Sequence, residues 1–150
     1  MVVIREVPFG GPEAQKLVAE LMDDLSVRYG GTGDDTPVAL SDFDPPDGRF
    51  FVAAEGEVLL GCVGWRQHGT DAELKRMFTT PAARGRGVAR LLLAAVESSA
   101  REAGLSRVIL ETGDRQPEAI GLYVSAGYER IPDFGYYKGE EGVLSFARSL

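Results

Sequence analysis

A chain of 150 residues that is 44% hydrophobic and 26% charged has the length and make-up of one globular domain, which argues against a fibrous or disordered architecture. A single cysteine, Cys62, excludes an internal disulfide and a cysteine-rich zinc site, and a single histidine, His68, disfavours metal catalysis and Ser/His/Asp chemistry. A net charge of −7 argues against a general nucleic-acid binder, while the lack of an apolar run of membrane length and of a tripartite leader at Met1–Pro8 predicts a cytoplasmic protein.

Val2–Val7 alternates weakly and reads as a first strand. Gly10-Gly11-Pro12 then opens a helix, with Ala14, Leu17, Val18, Leu21 and Leu25 at helical spacing and Tyr29-Gly30-Gly31 at its end. The stretch from Gly31 to Gly48 is rich in Asp, Pro and Gly and reads as a surface loop with room for one helical turn. Arg49–Glu55 and Val58–Arg66 form a hairpin about Gly56, and Ala72–Thr79 is a third run that Pro81 stops. Strict alternation along that run puts Glu73, Lys75 and Met77 on one face and Leu74, Arg76 and Phe78 on the other. A helix follows over Val88–Ala103, with Val88, Leu91, Leu92, Ala95 and Val96 on its apolar side. Arg107–Thr112 is a strand and Pro117–Ala126 a short helix closed by Gly127, and Tyr128–Leu150 holds two further strands. The order β-α-β-β-β-α-β-α-β-β predicts an α+β fold: a mixed sheet of six to seven strands flanked by helices, in one domain over 1–150.

Charge is distributed unevenly along this order. Between Gly31 and Glu73 acids dominate, whereas Lys75, Arg76, Arg84, Arg86 and Arg90 follow with no acid among them. Arg84-Gly85-Arg86-Gly87-Val88-Ala89 lies where a strand gives way to a helix, and a helix N-terminus offers unpaired backbone N–H groups and the positive end of the helix dipole. Glycines at 85 and 87 let an anion approach, and the arginines add charge, so the segment reads as a pyrophosphate site. Its spacing is neither that of a P-loop nor that of a dinucleotide fingerprint. Basic residues alone would also suit RNA or DNA, but overall acidity and the lack of aromatic platforms beside them count against it.

Arg84-x-x-Gly87-x-Ala89 resembles the [QR]-x-x-G-x-[GA] pyrophosphate loop of the GNAT superfamily of N-acetyltransferases. Upstream, Glu73-Leu-Lys-Arg-Met-Phe-Thr-Thr-Pro81 is similar to that family's fourth strand. Downstream, Pro117-Glu-Ala-Ile-Gly-Leu-Tyr-Val-Ser-Ala-Gly-Tyr128 is similar to its A-x-x-L-Y-x-x-x-G-[FY] helix. The resemblance spans residues 72 to 130 and implies a mostly antiparallel sheet splayed between the fourth and fifth strands. It implies acetyl-CoA as co-substrate, with the backbone of Met77, Phe78 and Thr79 pairing with pantetheine and Arg84, Gly85, Arg86, Gly87, Val88 and Ala89 holding the pyrophosphate. Where many relatives have Asn, this chain has Gln116, which offers the same amide one methylene further out.

The implied activity is acetyl transfer to a primary amine by direct attack in a ternary complex. Tyr123 matches the family tyrosine near the coenzyme sulfur, and a phenol can protonate a thiolate. Glu73 is the first candidate for general base, acting through water, against an ordinary strand ion pair; Glu111 is the second. A backbone N–H near Met77 or Phe78 would polarise the carbonyl. Cys62 reads as a small buried residue, His68 as a surface residue, and Trp65 as packing or lining an acceptor pocket. The acidic loop from Asp34 to Asp47 suits a small cationic amine, with neither nucleic acid nor membrane as partner, and the resemblance allows a homodimer. Two other readings stay open: an acyl-CoA-binding or sensing module without turnover, and a protein or peptide N-acetyltransferase.

Overall fold

Seven strands and three α-helices follow one another in the computed structural model, which describes residues 1–150. In chain order they are β1 (Val3–Glu6), α1 (Pro12–Tyr29), β2 (Gly48–Glu55), β3 (Val58–His68), β4 (Asp71–Thr79), α2 (Val88–Glu102), β5 (Arg107–Gly113), α3 (Pro117–Ser125), β6 (Glu129–Arg130) and β7 (Val143–Ser149). One short 3-10 turn, Leu40–Phe43, interrupts the long loop after α1. The strands form one sheet in the order β1-β2-β3-β4-β5-β7-β6, antiparallel throughout except for β4 and β5. That one parallel pair follows from its connection, because parallel neighbours need a crossover and α2 supplies it.

Both faces of the sheet are covered, so its central strands are nearly continuous in apolar residues. Along β2, Phe50 and Val52 pack in the α1-side core with Leu17 and Leu21, whereas Phe51 and Ala53 join the opposite core with Val88, Leu92 and Val96 of α2. The period of two along the strand thus divides one run between two cores. Each fully buried Leu or Phe in them contributes about 1.5–3 kcal/mol.

The inward face of α2 differs from the expected one. Val88, Leu92, Leu93, Val96 and Ala100 are buried, while Leu91 is 44% exposed. The stripe at i, i+4, i+8 and i+12 sets the helix's rotation, and Leu93 falls inside it where Leu91 does not. Trp65 packs and does not line an acceptor pocket: it is buried on β3, and its Nε1 donates to Ser99 Oγ of α2 at 2.9 Å.

The sheet is not continuous along its middle. β4 and β5 pair only at Ala72 with Val108 and Glu73 with Ile109, and the strands part beyond those positions. On its other edge, the register of β4 with β3 shifts between Cys62 and Gly64, a bulge that gives Arg76 a φ of 62°. Bulges bend and twist the strand that carries them. This one lies just past the last β4–β5 pair, and it accounts for β4 turning away there.

Candidate active site

The gap between the parted strands is a cavity of about 280 Å³. Lys75, Arg76 and Met77 line it from β4, Glu111, Thr112 and Gly113 from β5, and Tyr123 from α3. Leu21, Leu25 and Tyr29 of α1 close another side, and Asp34 and Tyr137 reach it from loops.

Arg76 does not obey the alternation expected of its strand. Because the bulge reverses its backbone, its guanidinium lies against Thr36 and Met22 near Lys75 rather than on the opposite face. Two neighbouring cations thus share one acid. Asp34 Oδ2 is 3.1 Å from Lys75 Nζ and 3.3 Å from Arg76 Nε, and Asp34 Oδ1 accepts from Thr36 Oγ1 at 2.6 Å and from Tyr137 Oη at 2.7 Å. Burial alone would raise the Asp34 carboxyl, but Lys75, the Thr36 hydroxyl, Arg76 and the Tyr137 hydroxyl together hold it far below the usual carboxylate range. The acid meant to attract a cationic acceptor is therefore committed to internal partners. Asp42, from the same loop, is likewise paired with Arg66 at 3.0 Å.

Tyr137 joins three parts of this cluster. Its hydroxyl reaches Asp34 and accepts from the Asp35 N–H at 2.8 Å, and its own N–H donates to Glu111 Oε2 at 3.1 Å. Burial, then the Asp34 carboxylate, pushes its phenol up to about 12. Glu111 Oε1 is buried with no hydrogen-bond partner. Its carboxyl is raised above the usual range by burial, with Glu73 and Asp34 adding to the effect and Lys75 and the Tyr137 N–H opposing it.

The two candidate bases are thereby separated. Glu73 is turned to Arg66, whose Nε is 3.0 Å from Glu73 Oε1, and it does not line the cavity. The reason is local: β3 places the half-buried Arg66 directly opposite the buried Glu73 in the ladder, and opposite charges on one face pair. Glu111 lines the cavity. Tyr123 is 4% exposed, its ring 5.7 Å from that of Tyr128 and 6.3 Å from that of Phe146, and burial raises its phenol well above normal. Cys62 is buried, donates to the Arg76 carbonyl at 3.3 Å, and has its thiol raised by burial. His68 lies exposed beside Phe134.

Around the cavity mouth, Met77 lines the wall, Phe78 is buried in the α1-side core and Thr79 is half-buried. Phe78 and Thr79 pair with Cys62 and Gly61 of β3, and their β5-facing edge has no partner strand. Gly85 and Gly87 have φ of 80° and 78°, and a Cβ on either would meet nothing within 4 Å. Gly87 caps α2 with no side-chain hydrogen bond, so the cap leaves the first N–H groups of the helix without a side-chain acceptor. Val88 is buried and Ala89 is half-buried in the first turn. Arg84, Arg86 and Arg90 surround that end, their partners being Asp24 at 3.6 Å, Glu55 at 2.9 Å and Ser125 at 2.7 Å. Gln116 lines the cavity and donates to Tyr29 Oη at 3.3 Å. The open turn and the free strand edge fit a diphosphate with an extended amide-bearing arm. The Asp34–Tyr137 clasp spans 103 residues, and its only signal in the sequence is two adjacent cations on a buried strand.

The profile of the acetyltransferase (GNAT) family matches residues 17–128. An IAA acetyltransferase of Azospirillum brasilense is 37% identical over 143 residues, covering 90% of this chain and 88% of that protein. Among solved structures, a Klebsiella pneumoniae protein assigned as an acyl-CoA N-acyltransferase superposes with a TM-score of 0.83 at 25% identity, covering 100% of this chain and 98% of that one. A PaiA N-acetyltransferase from Thermoplasma acidophilum, solved in complex with coenzyme A, shares the fold at a TM-score of 0.75 and 14% identity, covering 100% and 99%.

Proposed function

Because the chain belongs to the acetyltransferase (GNAT) family, whose members carry out acetyl-CoA-dependent acyl transfer, we propose that it acetylates the primary amine of a small molecule by direct attack within a ternary complex. The observation that carries this reading is the meeting of Glu111 and Tyr123 in one cavity, opened by the divergence of β4 and β5. Bound acetyl-CoA supplies the activated thioester. The turn at Arg84–Ala89 holds the diphosphate with backbone N–H groups, and the free edge at Met77–Thr79 pairs with the pantetheine amides. Gln116 offers its amide beside that arm.

Glu111 takes the proton from the attacking nitrogen, and Tyr123 gives its phenol proton to the departing sulfur. A C–N bond forms as the C–S bond breaks, giving an amide and a free thiol. Glu111 replaces Glu73 as base in this scheme, since the Glu73 carboxylate is held by Arg66. The buried, partnerless oxygen of Glu111 supports that role, because such a carboxylate is more basic than one in water. The relative named as an IAA acetyltransferase supports a small acceptor over a protein one. No helix is long and apolar enough to cross a membrane. In this reading the chain acts as one catalytic domain in the cytoplasm, as a monomer or a homodimer.

The loop assignment is tested by melting the protein with acetyl-CoA. At a hundredfold excess over Kd, binding stabilises by about 2.7 kcal/mol, roughly 5–11 °C for a chain of this size. Gly87→Glu is expected to abolish that shift by placing bulk and negative charge at the helix start. Gly87→Ala carries the same left-handed backbone strain without the charge and should keep part of it. An undiminished shift in Gly87→Glu would refute the site.

A further inference from the structure

We infer that the acceptor is an amino-acid-like molecule, whose carboxylate is held by Lys75 and Arg76 while its amine faces Glu111. This rests on the acetyl-transfer reading above and adds the substrate class to it.

The first ground is charge. The Lys75 and Arg76 side chains are 6% and 7% exposed, both line the cavity, and a single carboxylate, Asp34, answers them both. Arg66, by contrast, has two carboxylates to itself, Asp42 and Glu73. Buried cations are costly without counter-charge. When Glu111 is ionised the four groups cancel, but a Glu111 that has accepted the amine's proton leaves one positive charge over. A carboxylate on the acceptor neutralises it at that stage of the reaction, and beforehand it makes Glu111 a better proton acceptor.

The second ground is hydrogen-bonding capacity. Lys75 Nζ lies 3.1 Å from Asp34 Oδ2 as an ion pair, and of its three N–H groups one donates to Thr36 Oγ1 at 2.8 Å. Arg76 has five, yet its only well-formed bond to oxygen is from Nη2 to the Thr36 carbonyl at 3.3 Å; its other hydrogen bond is to Met22 Sδ at 3.7 Å. Its Nε is near enough to Asp34 for charge attraction but is not aligned to donate, and it is left without a hydrogen-bond partner. The only other buried side-chain nitrogen or oxygen so left is Glu111 Oε1. One is a donor and one an acceptor, and both belong to residues of this cavity. A zwitterion supplies the complement of each. A polyamine would instead bring further positive charge beside two cations. Leu21, Leu25 and Tyr29 form the apolar wall along which an aliphatic or aromatic side chain would lie.

The test compares matched pairs by acetyl-CoA-dependent thiol release: leucine against isopentylamine, and phenylalanine against phenethylamine. The amino acid of each pair is expected to show kcat/KM at least about tenfold higher, the size of a charge-assisted contact. Lys75→Met should bring that ratio close to one, mainly through KM. As that variant removes a buried charge and can lose stability, a second measurement uses the wild-type protein: 3-phenylpropanoate should compete with the acceptor, and its amide should not. Amines turned over as well as or better than their amino acids, or equal inhibition by acid and amide, overturns the acceptor class alone. No acetylation of any pair by protein that binds acetyl-CoA overturns the acetyl-transfer reading with it.

Discussion

Tyr123→Phe is expected to lower kcat for acetyl transfer by about 10²- to 10⁴-fold, the usual range for losing a positioned general acid. The phenol suits that part because burial raises it, so it keeps its proton at every pH at which the amine is a nucleophile. Its ring packs with Tyr128 and Phe146 in the α2-side core, and a phenylalanine ring keeps those contacts. Folding should therefore be spared, and so should the melting shift given by acetyl-CoA, since the substitution leaves the backbone N–H groups of the Arg84–Ala89 turn untouched. Steady-state thiol release across pH, with a thermal melt of the same preparation, checks both halves. Full turnover by the variant would remove Tyr123 from the mechanism.

Most of the architecture was legible in the sequence because its signals are local. Gly30, Gly56 and Gly87 sit at left-handed positions that end or begin elements, and the apolar runs at 49–55 and 58–66 have the length of strands buried on both faces. The turn at Arg84–Ala89 was legible for the same reason: its chemistry lies in consecutive backbone. What was not legible depends on contacts made across the fold. A period of two assigns Arg76 to the face opposite Lys75, and only the shifted register with β3 reverses it. Glu73 and Glu111 look alike as strand carboxylates. They differ because Arg66 stands opposite Glu73, whereas Glu111 meets Ser145 across the ladder and lies beneath the backbone around Gly135.

Glu111→Gln separates catalysis from stability. Turnover should fall by about 10²-fold or more, because the amide cannot accept the nitrogen's proton. In the wild type, the acid limb of the kcat profile should lie above the usual carboxylate range, since burial raises this group. The stability effect has the opposite sign. A carboxyl whose folded pKa exceeds its unfolded value of about 4.3 binds more protons folded than unfolded between the two, so stability falls as pH rises through that window. Above that window the whole of that cost is present. Glutamine abolishes it while its carbonyl still accepts from the Tyr137 N–H, so the variant should melt at the wild-type temperature or above it at pH 7. Well below the unfolded value, where Glu111 is protonated in both states, that advantage should vanish. Glu73→Gln should do the reverse, losing stability because Arg66 gives up a buried partner while the chemistry in the cavity proceeds. A Glu111→Gln protein that turns over normally, beside a Glu73→Gln protein that is stable but inactive, would return the base to β4.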